Sequence, residues 1–292
     1  MWTAFVLILV IGGLCARRAV AEARGLDKLV ALSPVFFAMP LAVFGAEHLS
    51  GDAGIAGLVP AYLPWRMFWV YFVGVALVAA ALSIATRIQV QWSGLLFGVI
   101  MFLFVAMLHF PGALSEPGNR MGWVFVFREM SFGAGGWALG GGAMAAGRAQ
   151  TKSTLVTVSR VLIGLAAVFF GGQHLRHPAN MPGVPLEQVM PEWIPGGEVV
   201  GYLTGAILLV CGASILIGKK TRTMATCLGA WIVFLVVVIY GPILIESTRH
   251  PSTAVRVQGI NYFTGTLLFA GAILGLASAT PHRTDRTSTG SE

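Results

Sequence analysis

Long apolar stretches alternate along the chain with short polar segments, a pattern typical of membrane-spanning helices. A helix needs about 20 apolar residues to cross the hydrocarbon core of a bilayer. Several stretches come close to that length, and we predict a transmembrane helix in each of them: residues 2–16, 29–49, 66–85, 90–112, 121–146, 155–175, 198–218, 224–245 and 257–279. The pattern therefore predicts an all-α integral membrane protein with about nine spans.

The first of these stretches is short enough to be the apolar part of a signal peptide. No basic residue precedes it, however, and Arg17 and Arg18 follow it, which is the reverse of the signal-peptide pattern. We therefore predict that residues 1–28 form a retained transmembrane helix and a basic linker.

The sequence also repeats itself. Three motifs of the first half return in the same order in the second half: FGAEHL at 44–49 as FGGQHL at 170–175, Pro-x-x-x-Pro at 60–64 again at 191–195, and Tyr-x-x-Gly at 71–74 again at 202–205. The distance between the second and third motifs is the same in both halves. An ordered match of this kind indicates an internal duplication.

We predict from this duplication two tandem four-helix bundles, residues 29–146 (repeat 1) and residues 154–279 (repeat 2). An even number of spans in each repeat means that both enter the membrane from the same side, so the repeats are expected to be parallel. The polar residues 280–292 have too little apolar content to fold, and we predict a disordered cytoplasmic tail there.

Composition excludes an ordinary soluble protein. Hydrophobic residues make up 56% of the chain and charged residues 11%, whereas a soluble domain has about 25% charged residues. The net charge of +7 could indicate a nucleic-acid partner, but most basic residues fall in loops on one side of the predicted topology. The positive-inside rule then places the carboxyl terminus in the cytoplasm and the amino terminus outside. We expect a protein of the bacterial or archaeal cytoplasmic membrane that contacts lipid and no nucleic acid.

Ionisable residues inside the predicted spans are the first candidates for a functional site, because a charge within the bilayer is costly. Arg128 and Glu129 lie in the fifth span, and Glu47 and His48 end the second. Because adjacent helical residues point about 100° apart, we expect no direct salt bridge between Arg128 and Glu129. Instead we expect Glu47 to pair with Arg128, and His48 or His109 to pair with Glu129.

The second copy is less polar at the matching positions. Glu47 corresponds to Gln173 and His109 to Tyr240, while the pair Arg128 and Glu129 corresponds to residues 260–262. Only His48 keeps its residue type, as His174. We therefore place the candidate catalytic residues in repeat 1, at its outer end: Glu47, His48, Arg128 and Glu129. Polar residues that only hold helices together are an equally weighted alternative.

Candidate substrate-binding residues lie nearby on the same side. They are His109, Tyr62, Trp65 and His174, although His174, with His177 and His250, is also typical of a solvated helix end. The segments around 60–64 and 191–195 place an aromatic residue between two prolines, and we predict a short surface or re-entrant helix there. Neither H-x-x-x-H nor E-x-x-H occurs on one helix, so the sequence predicts no metal or haem site.

These motifs resemble the DoxX-like family of four-helix membrane modules. In repeat 1 the resemblance rests on Phe44-Gly45 with His48, Pro60 to Pro64, Gly74, and Arg128-Glu129 before Gly133. In repeat 2 it rests on Phe170-Gly171 with His174, Pro191 to Pro195, Gly205, and Asn261 before Gly265. The resemblance covers both repeats but not the first helix. It implies a helical bundle associated with redox chemistry, since some relatives are the membrane subunit of a thiosulfate:quinone oxidoreductase.

Three functions are compatible with these sequence features. The first is a membrane subunit of a quinone-linked oxidoreductase, which binds a quinone and takes electrons from a partner protein, because the chain has no redox motif of its own. The second is a non-enzymatic membrane subunit that docks or stabilises a partner complex. The third is a small-anion transporter that uses Arg128, which parallel repeats favour less.

Overall fold

The computed structural model describes residues 1–51 and 53–280, and it is built of helices. The described helices of the first half are α1 (Trp2–Glu22), α2 (Asp27–Ala31), α3 (Ser33–Leu49), α4 (Ala53–Leu58), α5 (Arg66–Thr86), α6 (Val90–Phe104), π1 (Val105–His109), α7 (Phe110–Ser115) and α8 (Arg120–Gly142). Those of the second half are a 3-10 turn (Ala146–Arg148), α9 (Ala149–Arg176), α10 (Gly197–Leu216), α11 (Thr221–Leu235), π2 (Val236–Tyr240), α12 (Gly241–Arg249) and α13 (Thr253–Ala279). The predicted tail, 280–292, lies outside the described residues except for Thr280.

Seven helical units are long and apolar enough to cross a membrane: Trp2–Glu22, Arg66–Thr86, Val90–Ser115, Ala146–Arg176, Gly197–Leu216, Thr221–Arg249 and Thr253–Ala279. The chain is therefore a membrane protein by the length and composition of its helices. Helix α3 is apolar but has only 17 residues, and α8, which contains Arg128 and Glu129, is not one of the seven. The expectation of nine spans is accordingly not confirmed, although α3 and α8 lie at two of the predicted positions.

The two repeats share a feature of backbone structure as well as sequence motifs. The third helical unit of each repeat contains a five-residue π-helical segment, Val105–His109 in repeat 1 and Val236–Tyr240 in repeat 2. A proline follows two residues after each segment, at Pro111 and Pro242. Because π-helical segments are rare, their recurrence at matching positions is a specific backbone feature of the duplication.

The first two helices of each repeat cross at a pair of glycines. A Cβ atom at Gly45 of α3 would lie 3.0 Å from the carbonyl oxygen of Gly74 in α5, and one at Gly171 of α9 would lie 2.9 Å from that of Gly205 in α10. Contacts this short leave no room for a side chain, so the backbones approach each other directly. The motifs at 44–49 and 71–74 are therefore the two sides of one helix crossing.

The repeats do not pack as two separate bundles. Helix α3 of repeat 1 packs against α13 of repeat 2, and α9 of repeat 2 packs against α8 of repeat 1. Helices α8 and α13 also pack against each other, and in α13 the most apolar window is 83% buried. The expected tandem arrangement of two four-helix bundles is thus not confirmed, because each repeat completes its packing with the last helix of the other. Helix α1 lies outside this body, on α3 and α5.

Candidate functional site

Arg128 and Glu129 form an ion pair with each other. The Nε and Nη2 atoms of Arg128 both donate to Oε1 of Glu129, at 3.0 Å and 2.7 Å. The expectation that these neighbours would not pair is wrong, because both side chains are long enough to bend towards each other although their Cβ atoms diverge. The pair is mostly withdrawn from the surface, since the side chains are 26% and 12% exposed.

Aromatic and imidazole rings surround the guanidinium group. Its central carbon lies 4.7 Å from the ring centroid of Phe125 and 6.0 Å from that of Phe132. The ring of His109 stacks on that of Phe125, with the two ring centroids 5.8 Å apart. His109 is also within electrostatic range of Arg128 and Glu129. The expected pairing of His48 or His109 with Glu129 is replaced by the pairing of Glu129 with Arg128, and the ring of Phe125 lies against both His109 and the guanidinium group.

His109 owes its position to the π-helical segment, of which it is the last residue. A π-helical turn inserts one extra residue into an α-helix and so changes the direction of the side chains beyond it. In repeat 2 the same position carries Tyr240. Each repeat therefore presents a ring with polar atoms from the end of its π-helical segment.

Glu47 contacts the other repeat. Its Oε1 atom accepts a hydrogen bond from Nδ2 of Asn261 in α13, at 3.4 Å. The expected pairing of Glu47 with Arg128 is replaced by this contact, because α3 packs on α13 while Arg128 is bound to Glu129 in α8. Glu47 and Arg128 are thus placed on different helix interfaces.

A carboxylate and an amide occupy both of these interfaces in exchanged order. Glu47 of α3 faces Asn261 of α13, and the corresponding positions at the interface of α9 and α8 carry Gln173 and Glu129. Gln173 and Glu129 are both buried, at 7% and 9% exposure. Sequence comparison of the repeats alone suggests a charged first copy and a neutral second one. The matching positions of the two helix pairs therefore carry one carboxylate each, Glu47 in α3 and Glu129 in α8.

His48 has a defined tautomer if its imidazole is neutral. Its Nδ1 atom lies 2.8 Å from the carbonyl oxygen of Phe44, one turn earlier in α3. Since a carbonyl can only accept, Nδ1 carries the proton and donates it, and Nε2 carries the lone pair. His48 is half-buried near the end of α3, so it can accept a hydrogen bond there.

His174, the counterpart of His48, is buried at 1% exposure. Its Nε2 atom lies 3.1 Å from the backbone nitrogen and 3.0 Å from the oxygen of Gly183. The expectation of a solvated helix end is therefore wrong for His174, because the 177–196 loop folds over it. The same expectation is confirmed for His177 and His250, which are exposed.

The Pro-containing segments form turns. Residues 60–64 and 191–195 contain no helix, although the short α4 precedes the first of them. The predicted surface or re-entrant helix is thus wrong for these segments themselves. Tyr62 and Trp65 are 70% and 80% exposed, so these two candidate substrate-binding residues lie on the surface.

The described residues contain no set of ligands for a metal ion. Within residues 1–51 and 53–280, no three His, Cys, Asp or Glu side chains come together closely enough to hold a metal ion. The polar groups that do converge, Arg128, Glu129 and His109, are suited to binding an anion and to accepting or donating a proton.

Comparison of the chain with protein-family models, with curated protein sequences and with solved structures finds no match.

Proposed function

We propose that this protein is the membrane subunit of a quinone-linked oxidoreductase, with its site around the Arg128–Glu129 ion pair. The observation that carries the proposal is this ion pair, largely buried in α8 and within electrostatic range of His109. Placing an arginine or aspartate at the centre of a membrane helix costs about 2.5–3.5 kcal/mol on insertion scales, so an intramembrane charge is a functional hypothesis by default. The resemblance to DoxX-like modules supports the same function.

Each group of the site has a chemical part in this proposal. Glu129 exchanges protons with the bound quinol, because it is the carboxylate nearest to the half-buried imidazole of His109. Arg128 stabilises negative charge on a reduced quinone oxygen. Glu47 and His48 lie at the end of α3, where His48 can accept a hydrogen bond from the ligand. A partner protein supplies the electrons, and the positive-inside rule puts the site at the outer face of the cytoplasmic membrane.

The test measures quinone bound to the purified protein. We expect the wild-type protein to retain quinone after extraction with mild detergent, and we expect Glu129→Gln and Arg128→Ala to lose it. Arg249→Ala is the matched control, since Arg249 is an exposed arginine at the end of α12. Wild-type protein without quinone, or variants that retain it as fully as the control, would contradict the proposal.

A second candidate function is docking of a partner complex without chemistry. The observation in its favour is the exposure of Tyr62 and Trp65 next to each other on one turn. We expect Tyr62→Ser with Trp65→Ser to release a co-purifying partner in that case, while Glu129→Gln retains it. The opposite result, loss of quinone without loss of a partner, supports the oxidoreductase subunit.

A further inference from the structure

Repeat 2 contains a segment of its own loop in a place that repeat 1 leaves uncovered. Residues 181–186 are all buried, although they belong to the connection between α9 and α10. We call them the plug. Two backbone hydrogen bonds close the loop around them: Met181 donates to the carbonyl oxygen of Gln188, and Met190 donates to that of Ala179, both at 2.9 Å.

Polar contacts hold the plug against three helices. The hydroxyl of Tyr240, at the end of π2, donates to the carbonyl oxygen of Pro182 at 2.6 Å. Gly183 meets Nε2 of His174 in α9 and approaches Thr266 in α13. The plug thus presents an apolar body together with a backbone donor and backbone acceptors to the side chains of α9, π2 and α13.

The corresponding connection in repeat 1 does not enter the helices with its described residues 54–65. None of its residues 54–65 is buried. The effect is visible on the π-helical segments, because Val236, Ile239 and Tyr240 of π2 are buried, whereas no residue of π1 is buried. The side of repeat 1 that matches the plug site is therefore open.

The side of repeat 1 that matches the plug site, which we call the open place, carries different polar side chains from the plug site. His48 takes the position of His174, and His109 takes that of Tyr240. The tautomer of His48 leaves Nε2 as an acceptor, and among the described residues nothing donates to it. In repeat 2 the equivalent Nε2 lies beside the N–H of Gly183. The occupant of the open place must therefore present a donor to His48 and, by analogy with Pro182, an acceptor to His109.

We propose that the open place in repeat 1 binds a hydroquinone, whose hydroxyl donates to Nε2 of His48 and whose second oxygen accepts from the imidazole of His109. This inference rests on the proposed function for the quinone class, and it adds the redox state and the two residues that recognise it. An oxidised quinone has two acceptor oxygens and no donor, so it satisfies His109 but not His48. Repeat 2 binds none, because its own chain fills the site.

Binding of a hydroquinone and of two analogues tests the proposal. The probes are decylubiquinol, its dimethyl ether and decylubiquinone, titrated anaerobically into the protein in lipid nanodiscs and followed by calorimetry. A single hydrogen bond contributes about 1 kcal/mol, and 1.4 kcal/mol is tenfold in affinity, so we expect the hydroquinone to bind about fivefold more tightly than its ether. We expect His48→Phe to abolish this preference. The control is His250→Phe, an exposed histidine in the loop before α13.

A second variant keeps the test decisive if His48→Phe does not fold. His109→Phe is expected to weaken the binding of hydroquinone and of quinone alike by about fivefold, since it removes the donor that both use, and to leave the preference over the ether intact. Equal affinity of the wild-type protein for hydroquinone and ether overturns the inference, as does a preference that survives in His48→Phe.

The two proposals fail in different ways. Hydroquinone binding that depends on His48, in a protein that supports no electron transfer with any partner, contradicts the oxidoreductase function and leaves the site in place. Electron transfer to quinone that is unchanged in His48→Phe contradicts the site and leaves the function in place.

Discussion

Replacing Tyr240 by phenylalanine tests whether the plug is held by its side-chain contacts. The substitution removes one hydroxyl from a residue that is 1% exposed and keeps the ring that packs around it. The carbonyl oxygen of Pro182, now 2.6 Å from that hydroxyl, loses its donor in a place with little access to water. An orphaned buried carbonyl costs about 1–3 kcal/mol, while hydrogen bonds between membrane helices average about 0.6 kcal/mol.

We therefore expect Tyr240→Phe to destabilise the plug by about 1–2 kcal/mol, which raises the population of its open form about 5-fold to 30-fold. Hydrogen–deuterium exchange measures this directly, because the amides of Met181 and Met190 are hydrogen-bonded within the loop and that of Gly183 donates to His174 in α9. Their exchange should accelerate by that factor, and the amides in the middle of α13 should not change.

His109→Phe is the matched control, because it changes the same position of repeat 1, where no plug is bound. It should leave exchange in residues 178–190 unaltered. Exchange in the plug that is the same in Tyr240→Phe and the wild-type protein would refute the reasoning, since it would mean that apolar packing alone holds the segment.

Two further outcomes follow from the helix contacts. Alanine at Gly45 or at Gly171 should force the crossing helices apart, at a cost of about 1–3 kcal/mol, and so lower the melting temperature in detergent. Gly172→Ala is the control and should be neutral, because a Cβ added there meets nothing within 4 Å. Equal effects at all three positions would argue against the crossing. Arg222→Ala should lower the melting temperature more than Asp27→Ala in the same assay. The Arg222 side chain donates both to Asp27, at 2.7 Å, and to the backbone of Ala277 at the end of α13. An equal loss in the two variants would assign the whole effect to the ion pair.

The positions of the helices follow from the sequence because apolar stretches bounded by polar loops determine where helices start and end. Every predicted span coincides with helical structure to within a few residues, although 29–49 is divided between α2 and α3, and α1 and α9 extend about two turns beyond their apolar parts. The number of membrane crossings does not follow in the same way. Helix α3 is short and α8 is rich in glycine and carries charges, so hydropathy alone is ambiguous for both.

The site could be predicted in its residue types and not in its contacts. Charges within apolar stretches identified Arg128 and Glu129, and the repeat identified His48 and His109. The choice of partners depends on which helices touch, and the exchange of packing between the repeats is not visible in one sequence. The contact of Glu47 with Asn261 was missed for that reason.

The plug escaped prediction because a proline-rich connection is ordinarily a surface feature. Composition carries no signal for it: the 177–196 loop contains Met181, Val184, Leu186 and Met190, but the loop at 50–65 is similarly apolar, with Ile55, Leu58, Val59 and Leu63. Burial of this loop accounts for the burial of His174, which the sequence analysis expected in solvent.

The crossed packing of the repeats bears on how such a chain could have arisen. A single four-helix unit of this kind would leave its first and last helices without their partners, since α3 is completed by α13 and α9 by α8. Two identical units could satisfy each other only as an interdigitated pair, with the same carboxylate and amide contact at both seams. Fusing the pair into one gene lets the two seams accept different mutations, and the present chain has acid and amide on opposite sides of them. Covalent linkage thereby lets the two halves differ, and here the connection is buried at 181–186 in one half and unburied at 54–65 in the other.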